Sequence, residues 1–167
     1  THGLEWQPQV VETRVGGAAA MAQYLAGMGT QIRLLGLLGE DAEGDKFSQE
    51  ISNTRIQNQS IALKDGRTLV RTRYSSESQV LLNVRNNRNF RLPTDVESQF
   101  NARITEAIED VEAIIIVDDG YGTVTDEIVA HLGKLGATRG IPIIGKVACR
   151  PPIADILRLR GISLLVF

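Results

Sequence analysis

Four short apolar runs constrain the fold most strongly: QIRLLGLLG from Gln31, AIIIV from Ala113, IPIIG from Ile141 and ISLLV from Ile162. Each has the length of a strand and none alternates polar with apolar residues, which is the pattern of a strand buried on both faces in a parallel sheet. The segments around them supply the covering helices. AAAMAQYLAGMG, AEGDKFSQEISNT, TDEIVAHLGKLGATR and PIADILRLR all carry helix-forming composition or helical apolar spacing. Strands alternating with helices in this way imply a layered α/β fold with a mainly parallel sheet.

The rest of the chain adds detail to that frame. QVVETRV, from Gln9 to Val15, reads as a strand running into Gly16-Gly17, and Gly29 is a natural stop for the helix that follows. Between residues 59 and 85 strands cluster: QSIAL and TLVRTRYS read as a hairpin turning at Asp65-Gly66, and Gln79 to Arg85 is a third extended run. These predict a small antiparallel element beside the parallel sheet. Asn and Arg dominate from Arg85 to Arg91, a solvated loop, before a helix from about Thr94 to Glu109 with Thr94 as its cap. One domain over 1–167 accounts for all of this. The abrupt start at THGLEWQPQV and a last strand with no covering helix after it predict a domain truncated at both ends.

Composition narrows the function classes. With 18 basic and 20 acidic residues the net charge is only -2, so no excess of charge favours nucleic acid or an anionic membrane, and small molecules or proteins are the expected partners. No apolar run approaches the ~18 residues of a membrane span, and no secretion signal opens the chain. Cys149 is the single cysteine and cannot form an internal disulfide, which fits a reducing cytoplasmic setting. His2 and His131 stand apart, so no metal site is expected, and neither a complete Walker loop nor a G-x-S-x-G elbow occurs.

Two local features could carry chemistry. Gly16-Gly17 lies between a strand-like segment and a helix of small residues. Glycines there either punctuate a turn or let a ligand approach the backbone at the free amides of a helix start. Asp118-Asp119-Gly120-Tyr121-Gly122 follows the apolar run AIIIV, and open α/β sheets bind ligands beyond the carboxyl ends of their strands. One aspartate there can cap the turn while the other accepts hydrogen bonds from hydroxyl groups, and Asp119 is the better candidate for binding. Glu40-Asp41 in LLGEDAEG lacks the spacing of a phosphate loop and reads as a turn into a negatively charged helix start.

Taken in order, VGGAAAMAQYLAGMGTQIRLLGLLGEDAEGDKF, GRTLVRTRYSSESQVLLNV, AIIIVDDGYGTVT and GIPIIGKV resemble the ribokinase-like (PfkB) carbohydrate kinases, nearest to their heptose-phosphate kinase branch. The resemblance runs from about Val10 to Phe167, and its first block is the most specific. It implies a ribokinase-like layered fold with a small β lid, formed by strands near 9–15 and 59–85, the chain being the sugar-binding half. It makes Gly16, Gly17, Asp119 and Gln79 contacts to a sugar or sugar phosphate, and Arg71 to Val84 part of a lid and dimer region. The reaction it implies is ATP-dependent phosphorylation of a sugar hydroxyl, with ATP and Mg2+ required by the full-length protein. The family's general base and anion hole belong to a later GAGD-type motif beyond Phe167, so no catalytic residue is expected in this chain and the chain alone is expected to be inactive.

Three positions depart from the family pattern. Ala20 stands where Asn usually follows the paired glycines, Arg85 where an acidic residue often closes the lid strand, and Gly145-Lys146-Val147 at the place of a DPK-like element. Loss of an amide and a carboxylate removes polar partners each contributing about 0.5–1.5 kcal/mol. These losses point to a different substrate, or to an alternative function as a catalytically inactive kinase-like module that binds a sugar phosphate or a protein.

Overall fold

The computed structural model describes residues 10–52, 54–76, 79–86, 90–147, 159 and 162–166. Helix α1 (Gly17–Gly27) leads to strands β1 (Ile32–Leu34) and β2 (Leu37–Gly39), then α2 (Ala42–Glu50), β3 (Ile56–Asn58) and β4 (Ile61–Leu63). Strands β5 (Arg71–Ser76) and β6 (Gln79–Arg85) follow, then α3 (Thr94–Ala107), β7 (Ile114–Asp118), α4 (Asp126–Arg139), β8 (Ile143–Val147) and β9 (Leu164–Val166).

Two parallel ladders form the framework. β1 pairs with β3 and β2 with β4, and the register keeps one offset throughout, from Ile32 opposite Ile56 to Gly39 opposite Leu63. Gln59 N donates to Leu34 O at 2.8 Å and Ile61 N to Gly36 O at 2.9 Å across the break. The two short pairs are therefore one interrupted ladder. The second ladder has the order β7-β8-β9, all parallel. Its strands are three of the apolar runs predicted to share a sheet. The fourth, around β1 and β2, pairs with residues 56–63 instead and is not hydrogen-bonded to β7, β8 or β9.

That pairing also corrects the predicted hairpin at Asp65-Gly66. The turn exists, with Asp65 at φ 62 and Gly66 N donating to Leu63 O at 3.0 Å, but β4 leaves it to pair with β2. The antiparallel hairpin is β5 with β6. Burial decides between the two arrangements, because Ile61 enters the core beside Phe100, Ile104 and Ile116, whereas a hairpin with β5 would leave it on an exposed ribbon. The predicted strand at 9–15 is corrected as well: residues 10–16 carry no strand, and Val10 and Val11 are 76% and 80% exposed. Gln9 lies outside the described residues. So does most of the predicted helix PIADILRLR, of which Leu159 alone is described, buried against the second ladder.

Local chemistry explains where the helices end. α1 closes in a Schellman arrangement, Gly29 N donating to Ala26 O at 3.0 Å and Thr30 N to Leu25 O at 3.1 Å, with Gly29 at φ 98 as the glycine such a cap requires. α3 starts at Thr94 with Pro93, not Thr94, in the cap position. α2 is capped by Asp41, whose Oδ1 accepts from Gly44 N at 2.9 Å. Thr68 holds the same carboxylate, its hydroxyl donating to Oδ1 at 2.6 Å and its amide to Oδ2 at 2.9 Å.

The helices pack on two cores, and Ile61 of the first ladder joins the second of them. Ala19, Ala22 and Ala26 of α1 lie against Leu34, Ile51 and Ile56, small residues that let the helix approach closely. α3 and α4 pack Phe100, Ile104, Ile128, Val129 and Leu132 on Ile116, Ile143 and Val147. Arg33 of β1 donates to the carbonyl oxygens of Ala107, at 2.7 Å, and Glu109. A cation on the free carbonyls of a helix end tethers α3 to the first ladder. Among the described residues no helix is long and apolar enough to cross a membrane.

Ile51 is 2% exposed, so Ile51→Ala is expected to lower unfolding free energy by about 2–5 kcal/mol, measured by urea denaturation. The side-chain and backbone hydrogen bonds from Thr68, then that from Gly44 and the charge of Arg67, hold Asp41 below its ordinary value of 3.8. A carboxylate whose pKa is lowered on folding stabilises the fold fully above that ordinary value and loses the contribution as pH falls through the lowered one. Urea midpoints followed from pH 6 downward should therefore fall less steeply in Asp41→Asn than in the unaltered chain.

Candidate functional site

Gly17 of the glycine pair and the second aspartate of the Asp-Asp-Gly segment meet. Gly16 caps α1 with extended backbone at φ -123, and Gly17 opens the helix at φ 54, a conformation that favours glycine. A β-carbon on Gly17 would lie 3.0 Å from Asp119 Oδ2, whereas one on Gly16 would meet nothing within 4 Å. Gly17 is thus the close-approach position of the pair, and Gly16 is the turn.

The two aspartates have different tasks. Asp118 ends β7, is 4% exposed, and accepts from Gly120 N at 2.8 Å, so it builds the turn. Asp119 is the next residue, partly exposed, with Lys146 Nζ of β8 3.9 Å from its Oδ1. A lysine in the middle of an apolar strand is a signal that sequence reading treated only as a departure. Its place in the structure is beside the carboxylate, in the register that pairs Lys146 with Val117 and Val166.

The far side of the same loop touches the base of the hairpin. The Arg85 guanidinium sits over the Tyr121 ring, 5.5 Å from its centroid. Gly122, at φ 86, approaches Phe90 so closely that a β-carbon would lie 2.5 Å from Phe90 O. Arg85 therefore has a partner in the loop carrying Asp119; from sequence Tyr121 has no role beyond its place in the Asp118–Gly122 segment, and Phe90 is not singled out. Gln79 is at the other end of β6, opposite Ser76 and exposed. At about 3.3 Å per residue it stands roughly 20 Å along the strand from Arg85.

The remaining departures have packing explanations or none. Gly145 is buried, and a β-carbon there would fall 2.3 Å from Ile162 Cδ1 and 3.0 Å from Leu159 Cδ1. An acidic side chain at that point would displace the apolar contacts of the second core. Ala20 is half-buried in the first turns of α1, and nothing in the structure explains its replacement of an amide. Among the described residues no group of three His, Cys, Asp or Glu side chains converges to hold a metal ion.

Residues 3–151 match the family model described as pfkB family carbohydrate kinase. The chain is 30% identical over 162 residues to the bifunctional protein HldE of Actinobacillus succinogenes, covering 92% of this chain and 31% of that protein. It is 29% identical over 156 residues to the bifunctional protein HldE of Klebsiella pneumoniae, covering 93% of this chain and again 31% of the relative. Among solved structures it resembles one described as a possible 1-phosphofructokinase of Thermotoga maritima, with a TM-score of 0.74 at 16% identity over 95% of this chain and 49% of the other. A carbohydrate kinase from Agrobacterium tumefaciens gives a TM-score of 0.67 at 17% identity, over 98% of this chain and 54% of the other. These likenesses bear out the layered ribokinase-like fold.

The unequal surroundings of the two glycines set up a direct comparison. Gly17→Ala should lower unfolding free energy by about 1–2 kcal/mol, the cost of a left-handed backbone for a residue with a β-carbon. Gly16→Ala, with extended backbone and open space, should cost less. Equal losses in urea denaturation would remove the distinction between them.

Proposed function

The chain belongs to the pfkB family of carbohydrate kinases, and from that premise we propose that it is the sugar-binding portion of an ATP-dependent kinase acting on a sugar or sugar phosphate, of the heptose-phosphate kind. The observation that carries this reading is the juxtaposition of Gly17 and Asp119 beyond the carboxyl end of β7. An ionised carboxylate accepts hydrogen bonds from sugar hydroxyls, and the bare backbone of Gly17 leaves room for the ring to come close. Lys146 places a positive charge 3.9 Å from Asp119 and limits the directions the carboxylate can take. In the same reading the β5–β6 hairpin, based on the Asp119 loop through Arg85 and Tyr121, is a lid over the sugar. Gln79 would contact the sugar only with the hairpin folded over it.

The transfer step needs groups that the described residues do not offer. ATP and Mg2+ supply the phosphoryl group and its charge neutralisation in this family, but no complete phosphate loop occurs in the sequence and no metal ligands converge among the described residues. No GAGD-type motif occurs in the 167 residues. Binding without turnover is therefore the activity assigned to this chain alone. Exposed Val80, Leu81, Leu82 and Val84 on β6 favour a homodimer through the hairpin, the single cysteine fits a cytoplasmic protein, and the even charge balance gives no preference for nucleic acid or an anionic membrane. The second reading, an inactive kinase-like module for a sugar phosphate or a protein, draws support from Gly145, where Ile162, Leu159 and Leu165 pack against the position the family gives an acidic side chain.

Calorimetric titration with heptose, ribose and fructose phosphates, beside an ADP-release assay with ATP and magnesium, tests the proposal. Binding is expected for the unaltered chain and should weaken about 10- to 100-fold in Asp119→Asn, the range for losing a hydrogen bond to a charged acceptor. No sugar-dependent ADP should appear. Sustained release that vanishes in Asp119→Asn would place a complete catalytic centre within the chain.

A further inference from the structure

The Gly39-Glu40-Asp41-Ala42-Glu43-Gly44 turn serves more than the start of α2. Thr68 is 7% exposed, and the turn is built around it. Gly39 N donates to the Thr68 hydroxyl at 2.9 Å, while that hydroxyl and the Thr68 amide both donate to the Asp41 carboxylate. Neither glycine tolerates a side chain. A β-carbon on Gly39 would lie 2.5 Å from Thr68 N, and one on Gly44 would lie 2.4 Å from Gly39 O and 3.0 Å from the Thr68 hydroxyl.

Thr68 is also the foot of the hairpin. Its carbonyl accepts from Asn86 Nδ2 at 2.8 Å, and Asn86 Oδ1 accepts from Val70 N at 2.9 Å. Asn86 therefore ties the strand leaving β6 to the strand entering β5, and through Thr68 ties both to Asp41. Beyond this base the hairpin has no buried residue among those described: Tyr74 and Arg85 are half-buried and the rest are exposed. An element without core contacts takes its orientation from its attachments.

We infer that Asp41, acting through Thr68, and Asn86 are positioning residues that fix the base of the β5–β6 hairpin beside the loop carrying Asp119. The positioning role rests on the proposed reading of the hairpin as a sugar lid. The anchoring itself does not, and the two are separable by experiment.

Amide hydrogen exchange on the whole chain, without ligand, tests the anchor in Thr68→Val, Thr68→Ser and Asn86→Ala. Hairpin amides in 71–76 and 79–85 should exchange at least ~10-fold faster in Thr68→Val and Asn86→Ala, with α3 and β7 unchanged. Thr68→Ser, which keeps the hydroxyl, should restore protection. Hairpin exchange that is unchanged in Asn86→Ala, or faster to the same degree in α3 and β7, would overturn the anchor. Asn86 is exposed, so its variant gives an answer even where Thr68→Val fails to fold. Calorimetry of the same variants with the sugar phosphates tests positioning: a loosened hairpin with weaker binding supports it, and a loosened hairpin with unaltered binding overturns it. If the unaltered chain binds no sugar, the positioning role falls with the reading beneath it, while exchange still decides the anchor.

Discussion

Parallel pairing governs the rest of this structure. Parallel strands cannot be joined by a tight turn, so each return runs through a crossover, α2 between the strands of the first ladder and α4 between β7 and β8. Crossovers place covering helices on the ladder and gather loops at the carboxyl ends of the strands. The Asp41–Thr68 network stands at the end of the first ladder, after Gly39 and Leu63. Asp119 stands at the end of the second, after Asp118. Both polar clusters are therefore consequences of strand direction before they are features of side chains.

The two clusters use carboxylates differently. Asp41 has its oxygens occupied by Gly44 and Thr68, so its charge is spent on joining a helix start to the foot of a hairpin. Asp119 has a lysine at ion-pair distance and remains partly exposed, an arrangement open to a ligand. A surface ion pair of this kind contributes only about 0–1 kcal/mol to stability, too little to account for the pair as a device for holding the fold. Gly17 adopts positive φ against Asp119 without the steric cost a β-carbon would bring.

The departures from the family pattern separate once the fold is known. Gly145 is a packing residue beneath Ile162 and Leu159, so its lack of a side chain answers to the second core. Arg85 lies on Tyr121, and its charge joins the hairpin to the Asp119 loop. One substitution thus belongs to the core and the other to the junction of two elements around the site, a division that residue type alone does not reveal.

Residue order alone determined the layered α/β class, the helices α1 to α4, and Gly17 and Asp119 as candidates, because unalternating apolar runs, small-residue helices and glycine-aspartate turns act over a few neighbouring residues. Pairing partners were beyond its reach. QSIAL beside TLVRTRYS has every local mark of a hairpin, yet Ile61 is more stable in the core and takes β4 into a parallel ladder with β2. QVVETRV has the composition of a strand, yet residues 10–16 find no edge to join among the described residues. Tertiary structure alone decided that Gly17 and not Gly16 faces Asp119, that Lys146 stands beside that carboxylate, and that Thr68 and Asn86 carry the hairpin. Each of these depends on side chains far apart in the chain, whose meeting is set by which apolar surfaces must be buried together.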